Sequence, residues 1–222
     1  VRATGRPARI GVALAGLIPF GVLVGRAATG TLGPDPVETL THETGQWALR
    51  CLLLTLAVTP ARRLLGWAAL APHRRTFGLL AYFYACLHFA TYLVFDLGFD
   101  VAELATDVRD RPYITVGFAT LLLLTPLAAT STRRAIRRLG RRWQRLHRLV
   151  YAAAVGAVVH FLWSVKADPT EPLVYGAVAA ALLLLRLRGR SGRGRRSYAT
   201  IPRSSAQGGA PGTARSASDE PA

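Results

Sequence analysis

The sequence predicts an all-α protein: a six-helix transmembrane bundle, both termini cytoplasmic, with a disordered arginine-rich C-terminal tail. Three observations predict it. The chain has 222 residues, 51% of them hydrophobic, yet its formal charge is +16. Its apolar residues fall into six runs, near 10–27, 47–60, 76–95, 113–130, 147–165 and 172–187. Its charges lie between those runs and alternate in sign from one connection to the next. A basic balance of this size also suits a nucleic-acid binder. Here, however, the cations gather between apolar blocks and in a tail rather than on one amphipathic face. The partner implied is a lipid bilayer and not nucleic acid.

A helical crossing needs about 20 residues. The run at 10–27 follows Arg2, Arg6 and Arg9 and lacks the small-residue cleavage site of a signal peptide. The run at 47–60 is short and carries Arg50; it is expected to extend at both ends, with Pro60 closing it. The run at 172–187 is also short, and Arg186 is expected to snorkel to the interface.

The connection 28–46 holds Asp35, Glu38 and Glu43, and 96–112 holds five acids against Arg109 and Arg111. The connection 61–75 holds Arg62, Arg63, Arg74 and Arg75, and 131–146 holds seven arginines and no acid. A short connection, 166–171, carries Lys166, Asp168 and Glu171. By the positive-inside rule the arginine-rich connections and both termini are cytoplasmic. Residues 1–9 then form a cytoplasmic N-terminus, 10–187 one membrane domain, and 188–222 a tail too poor in apolar residues to fold. Cys51 and Cys86 lie inside apolar runs without CxxC spacing and read as packing thiols.

Ionisable groups inside a span are costly and commonly functional. His88 stands eight residues before Asp96, about 12 Å from the outer end of its helix, and His160 six residues before Lys166, about 9 Å from the same side. The two imidazoles are thus at similar depth on helices running the same way. Facing one another, they are able to ligate a heme iron from both faces; the alternative is that each only hydrogen-bonds a neighbouring helix. His147 lies about 20 Å from His160 along the axis and on another face, so it cannot serve the same iron. It is a candidate for a second heme, for a flavin or quinone head group, or for a plain interfacial position. His73 is its only histidine neighbour by depth, and His42 lies in an outer connection. Arg74, Arg75, Arg142 and Arg145 cluster on the inner side and suit heme propionates or an FMN phosphate, while topology and lipid headgroups account for them equally. Trp143 and Trp163 read as interfacial anchors.

Several stretches carry a family resemblance. They are "GPDPVETLTHETGQWAL" at 33–49, "RRTFGLLAYFYACLHFATYLVFDLG" at 74–98, "RPYITVGF" at 111–118, "TSTRRAIRRLGRRWQRLHRLVY" at 130–151, "HFLWSVK" at 160–166 and "EPLVYG" at 171–176. In order and spacing, the chain from about 10 to 187 resembles the MsrQ family, heme-binding membrane subunits within the ferric-reductase-like transmembrane group. The resemblance implies a heme b protein of the bacterial cytoplasmic membrane, with one heme or two, and FMN. It implies electrons taken from the quinol pool and passed to a periplasmic molybdenum-containing partner, MsrP, that reduces methionine sulfoxide in oxidised proteins. The family's histidines fall on His88, His147 and His160; His42 matches one in the outer stretch, and His73 stands where the pattern has none. A ferric-reductase-like or quinone-linked cytochrome b serving another acceptor is the alternative reading. No nucleophile and base, P-loop or appended dinucleotide motif is present, so substrate catalysis within this chain alone is not expected.

Overall fold

The computed structural model describes residues 6–165 and 168–194. Lys166 and the part of the expected tail from 195 onward lie outside the described residues. Helices α1 (Arg6–Ala28), α2 (Pro36–Leu64), α3 (Arg74–Thr91), α4 (Val101–Asp110), α5 (Pro112–Ala129), α6 (Arg133–Leu139), α7 (Arg141–Leu146), α8 (Leu149–Ser164) and α9 (Thr170–Gly194) follow in chain order. A 3-10 turn, Ala68–His73, leads into α3, and a π turn, Tyr92–Asp96, prolongs it. Local signals set several starts. Asp35 accepts the Glu38 N–H at 2.9 Å, and Pro36 occupies the first turn of α2. Asp100 caps α4 in the same way, and that short helix lies in what the sequence suggests is a loop.

Four stretches are long and apolar enough to cross a membrane: Pro7–Ala28, Ala68–Asp96, Pro112–Ala129 and Arg141–Ser164. The other two long helices, α2 and α9, owe their lower hydropathy to polar residues turned onto each other. Gln46 donates to Glu171 Oε1 at 2.6 Å, and Arg50 donates to Gln46 Oε1 at 2.5 Å and to the Tyr175 hydroxyl at 2.7 Å. Large apolar side chains instead face outward, among them Ile10, Leu14 and Ile18 of α1 and Leu173, Val174 and Val178 of α9. Such a belt is costly in water and suits lipid.

Contacts fix the helix directions. The start of α2 meets the end of α3 through Thr41 and His88, and the start of α5 meets the end of α8 through Tyr113 and His160. Gly16 and Phe20 of α1 lie against Leu80 and Phe83 of α3, so those two run in parallel. So do α2 and α9, which pair 46 with 171, 50 with 175 and 56 with 186. Between α8 and α9 the pairing runs backward, from Phe161 with Tyr175 to Tyr151 with Arg186. Helices α1, α3 and α8 therefore point one way and α2, α5 and α9 the other.

Two expectations need correction. Pro60 does not close α2, which runs on to Leu64, and Arg186 does not snorkel, being 7% exposed. One cause explains both. Proline has no N–H to give the Leu56 carbonyl, the acceptor four residues back. Arg186 supplies it, donating to Leu56 O from Nε at 3.0 Å and Nη2 at 2.6 Å. Its remaining donors reach Tyr151 Oη at 3.1 Å, Thr59 Oγ1 at 3.1 Å and Thr55 O at 3.3 Å. A buried cation is tolerated here because carbonyl and hydroxyl dipoles surround it. A second opened ladder lies at Pro19 in α1. At the neighbouring rung the hydroxyl of the buried Tyr84 steps in, donating to Gly16 O at 2.7 Å and accepting from Phe20 N at 3.2 Å.

Replacing Arg186 with methionine strands the Leu56 carbonyl. The detergent-solubilised protein should lose roughly 1–3 kcal/mol of stability, read as a lower midpoint in thermal unfolding followed by circular dichroism. The loss should shrink in a Pro60→Ala background, where residue 60 regains its N–H.

Candidate cofactor site

Helices α3 and α8 bring His88 and His160 together, ring centroids 5.9 Å apart and planes at 74°. Each ring is fixed in the same manner. His88 Nδ1–H donates to the Thr41 carbonyl at 2.8 Å, and His160 Nδ1–H to the Tyr113 carbonyl at 2.8 Å, each acceptor lying 47 residues earlier in the chain. A carbonyl only accepts, so both protons sit on Nδ1 and both Nε2 atoms keep their lone pairs. One helical turn beyond each acceptor stands a glycine. A Cβ at Gly45 would lie 3.1 Å from His88 Nδ1, and one at Gly117 2.7 Å from His160 Nδ1. The imidazoles therefore press directly on helix backbone. Nothing in the sequence distinguishes these two glycines from the chain's many others, and sequence reasoning missed both.

The pair lines a cavity of about 850 Å³. Its inner wall is apolar, with Leu49, Leu52, Leu121 and Leu124. Its opposite end opens between α2 and α4 past Asp35, Glu38, Asp96, Glu103, Asp107 and Arg111. Imidazole–metal bonds of roughly 2 Å on either side of one ion place two ring centroids roughly 6 Å apart, which matches the observed spacing. Among the described residues no group of three or more His, Cys, Asp and Glu is placed to hold a metal. Two opposed imidazoles in an apolar slot suit a metal that brings its own planar ligands, and a heme fits.

At the mouth, the buried Asp107 accepts from the Tyr92 hydroxyl and pairs with Arg111 Nε at 3.1 Å. Hydrogen bonding to Tyr113, and then the Asp107 carboxylate, raise the Arg111 pKa above its ordinary value. His42 lies on the rim of the same cavity, 3.9 Å from Glu171 Oε2.

The remaining candidates lie elsewhere. His147 follows α7, stacks on Trp143 with centroids 3.9 Å apart, and donates Nδ1–H to the Trp143 carbonyl at 3.2 Å. Its Nε2 is buried without a partner, as is Nδ1 of the buried His73. Neither histidine lines the cavity. Arg74, Arg75, Arg142 and Arg145 are exposed, and none of them lines it either. The structure does not bring these four to the His88–His160 pair. Cys51 is buried, Cys86 is half-buried, and both are free thiols.

Comparison with known proteins agrees with this architecture. A family model described as "Ferric reductase like transmembrane component" matches residues 44–158, more than half of the chain. The protein-methionine-sulfoxide reductase heme-binding subunit MsrQ of Brucella ovis is 53% identical over 173 residues, covering 78% of each chain. The subunit of the same name from Brucella anthropi is 54% identical over 160 residues, covering 72% of each. No solved structure matches the chain.

Gly117→Ala should push His160 off the Tyr113 carbonyl and weaken heme retention by about 10-fold or more, the scale on which lost ligand support acts. Gly45→Ala, with the looser contact, should cost less. Pyridine-hemochrome quantitation per chain on titration with heme reads both.

Proposed function

This chain belongs to the MsrQ heme-binding subunits of the ferric-reductase-like transmembrane family, and on that premise we propose that it is a heme b electron-transfer subunit of the bacterial cytoplasmic membrane. It draws electrons from quinol, by way of FMN, heme or both. It delivers them to a periplasmic molybdenum-containing partner, MsrP, which reduces methionine sulfoxide in oxidised proteins. One observation carries the reading: two imidazoles on separate helices, 5.9 Å apart, each with Nδ1 tied to a carbonyl and Nε2 free.

His88 and His160 would hold the heme iron in this reading. Heme supplies one-electron chemistry when bound, and the chain's residues govern where it sits and what surrounds it. The Thr41 and Tyr113 carbonyls hold the tautomer and ring orientation that ligation requires and raise the basicity of the ligating nitrogens. The leucine wall excludes water from the inner end of the slot. The acidic mouth faces the compartment where the acceptor works, and it complements a basic docking face. Alternating helix directions support six crossings by α1, α2, α3, α5, α8 and α9. The charge pattern then places both termini in the cytoplasm.

His147 offers an unpaired Nε2 with the protonation pattern of the two ligands, which suits a second heme or another cofactor. Arg74, Arg75, Arg142 and Arg145 are exposed and chemically suited to an FMN phosphate.

A reduced-minus-oxidised spectrum of the detergent-purified chain tests the ligand assignment. The unchanged protein should give sharp low-spin b-type bands, and His88→Ala or His160→Ala should abolish or convert them. His147→Ala should leave the bands of this heme in place. Unchanged bands in both ligand variants would sink the pairing.

A further inference from the structure

We propose that Arg111 binds a propionate carboxylate of the heme, so that the macrocycle is seated with its carboxylate edge toward the outer, acidic mouth of the cavity. The assignment rests on the heme reading above and deepens it. A heme carries two carboxylates on one edge and hydrocarbon substituents on the other. The slot in which His88 and His160 stand is equally two-ended. Its inner end is built by leucines at 49, 52, 121 and 124, where an unpartnered carboxylate would be expensive to bury. Polarity therefore selects the orientation.

Charge selects the partner. Among the described residues lining the cavity, Arg111 is the single arginine or lysine, set against five acids at the mouth. Those acids repel a propionate, so among the described residues Arg111 is the fixed cation that lines its site. The side chain is also preorganised. Asp107, itself buried and held by the Tyr92 hydroxyl, grips Arg111 through Nε at 3.1 Å. That contact engages Nε and leaves the terminal Nη groups for an incoming carboxylate, in the fork geometry that suits bidentate pairing. The guanidinium is about half exposed, with 54% of the side-chain surface open, so it has room to accept a ligand. The inner arginines do not compete, since none of them lines this cavity. Arg111 and Tyr113 lie on the same short stretch, and the Tyr113 carbonyl orients His160. One segment thus holds both an axial ligand and the edge of the ring.

The experiment is an equilibrium redox titration of the heme in the full-length detergent-purified protein, as a function of pH. An ionisable propionate gives the midpoint potential a pH-dependent step. Pairing with a guanidinium favours the carboxylate and holds that step at low pH. In Arg111→Gln the step should move to higher pH and the midpoint potential should fall, while the low-spin bands persist. In Arg111→Lys, which keeps the charge without the fork, the step should lie between the two. Reconstitution with heme dimethyl ester, which has no carboxylates, should abolish the step in all three. A step at the same pH in heme-loaded Arg111→Gln and unchanged protein overturns the assignment, as does a step that survives esterification. If Arg111→Gln sheds its heme, Arg111→Lys carries the same comparison. A bis-imidazole spectrum in the unchanged protein keeps the heme reading intact whichever way the step moves. Its absence overturns that reading first.

Discussion

A backbone carbonyl in hydrocarbon has no water to turn to, and this constraint shapes four of the contacts that tie the helices together. Pro19 and Pro60 each open a helix ladder. At α2 the Arg186 guanidinium takes the carbonyl that Pro60 leaves, and at α1 the Tyr84 hydroxyl bridges Gly16 O and Phe20 N, the rung beside Pro19. The two cavity histidines meet the same demand from the other side. Their N–H groups need acceptors away from water, and the Thr41 and Tyr113 carbonyls provide them. Satisfying one set of polar groups thus ties neighbouring helices together and leaves two imidazoles with unengaged Nε2 atoms lining one cavity.

The histidine pair was legible because helical rise turns sequence position into depth. Eight residues before Asp96 and six before Lys166 were enough to place both rings at one level, and the structure has them in contact. What sequence position cannot give is the rotation of each helix, so the carbonyl acceptors and the pressing glycines at 45 and 117 were invisible. The helices α2 and α9 looked short for a related reason. Arg50 reads as a lone charge in a short apolar run and Gln46 and Glu171 fall just beyond the expected runs, whereas with Tyr175 they form one continuous seam between two helices. Arg186 was misread because an arginine near the end of a span ordinarily reaches for water. The signal that was there to use lay far away in the chain, at a proline whose acceptor lacked a donor. Helix α4 was hidden by its charge: five acids between residues 96 and 110 resemble a loop until Asp100 is recognised as a cap.

The cavity joins two environments that membrane chemistry usually keeps apart. Leucines close one end and carboxylates ring the other, only a few helical turns away along α2 and α5. A redox centre in the slot is shielded from water at its inner edge and electrostatically visible at its outer one. That polarity would suit the electron transfer proposed for this chain, because an acceptor would not have to enter the bilayer.

Helix α9 is gripped at two places fifteen residues apart, Glu171 on Gln46 near its start and Arg186 on Leu56 toward its far end, about 22 Å along its axis. Sliding it by one residue would turn every side chain by about 100° and release both grips at once. The helix therefore works as a strut rather than a piston. Through Tyr175 against Phe161 and Arg186 on Tyr151 it sets the height of α8, the helix that carries His160.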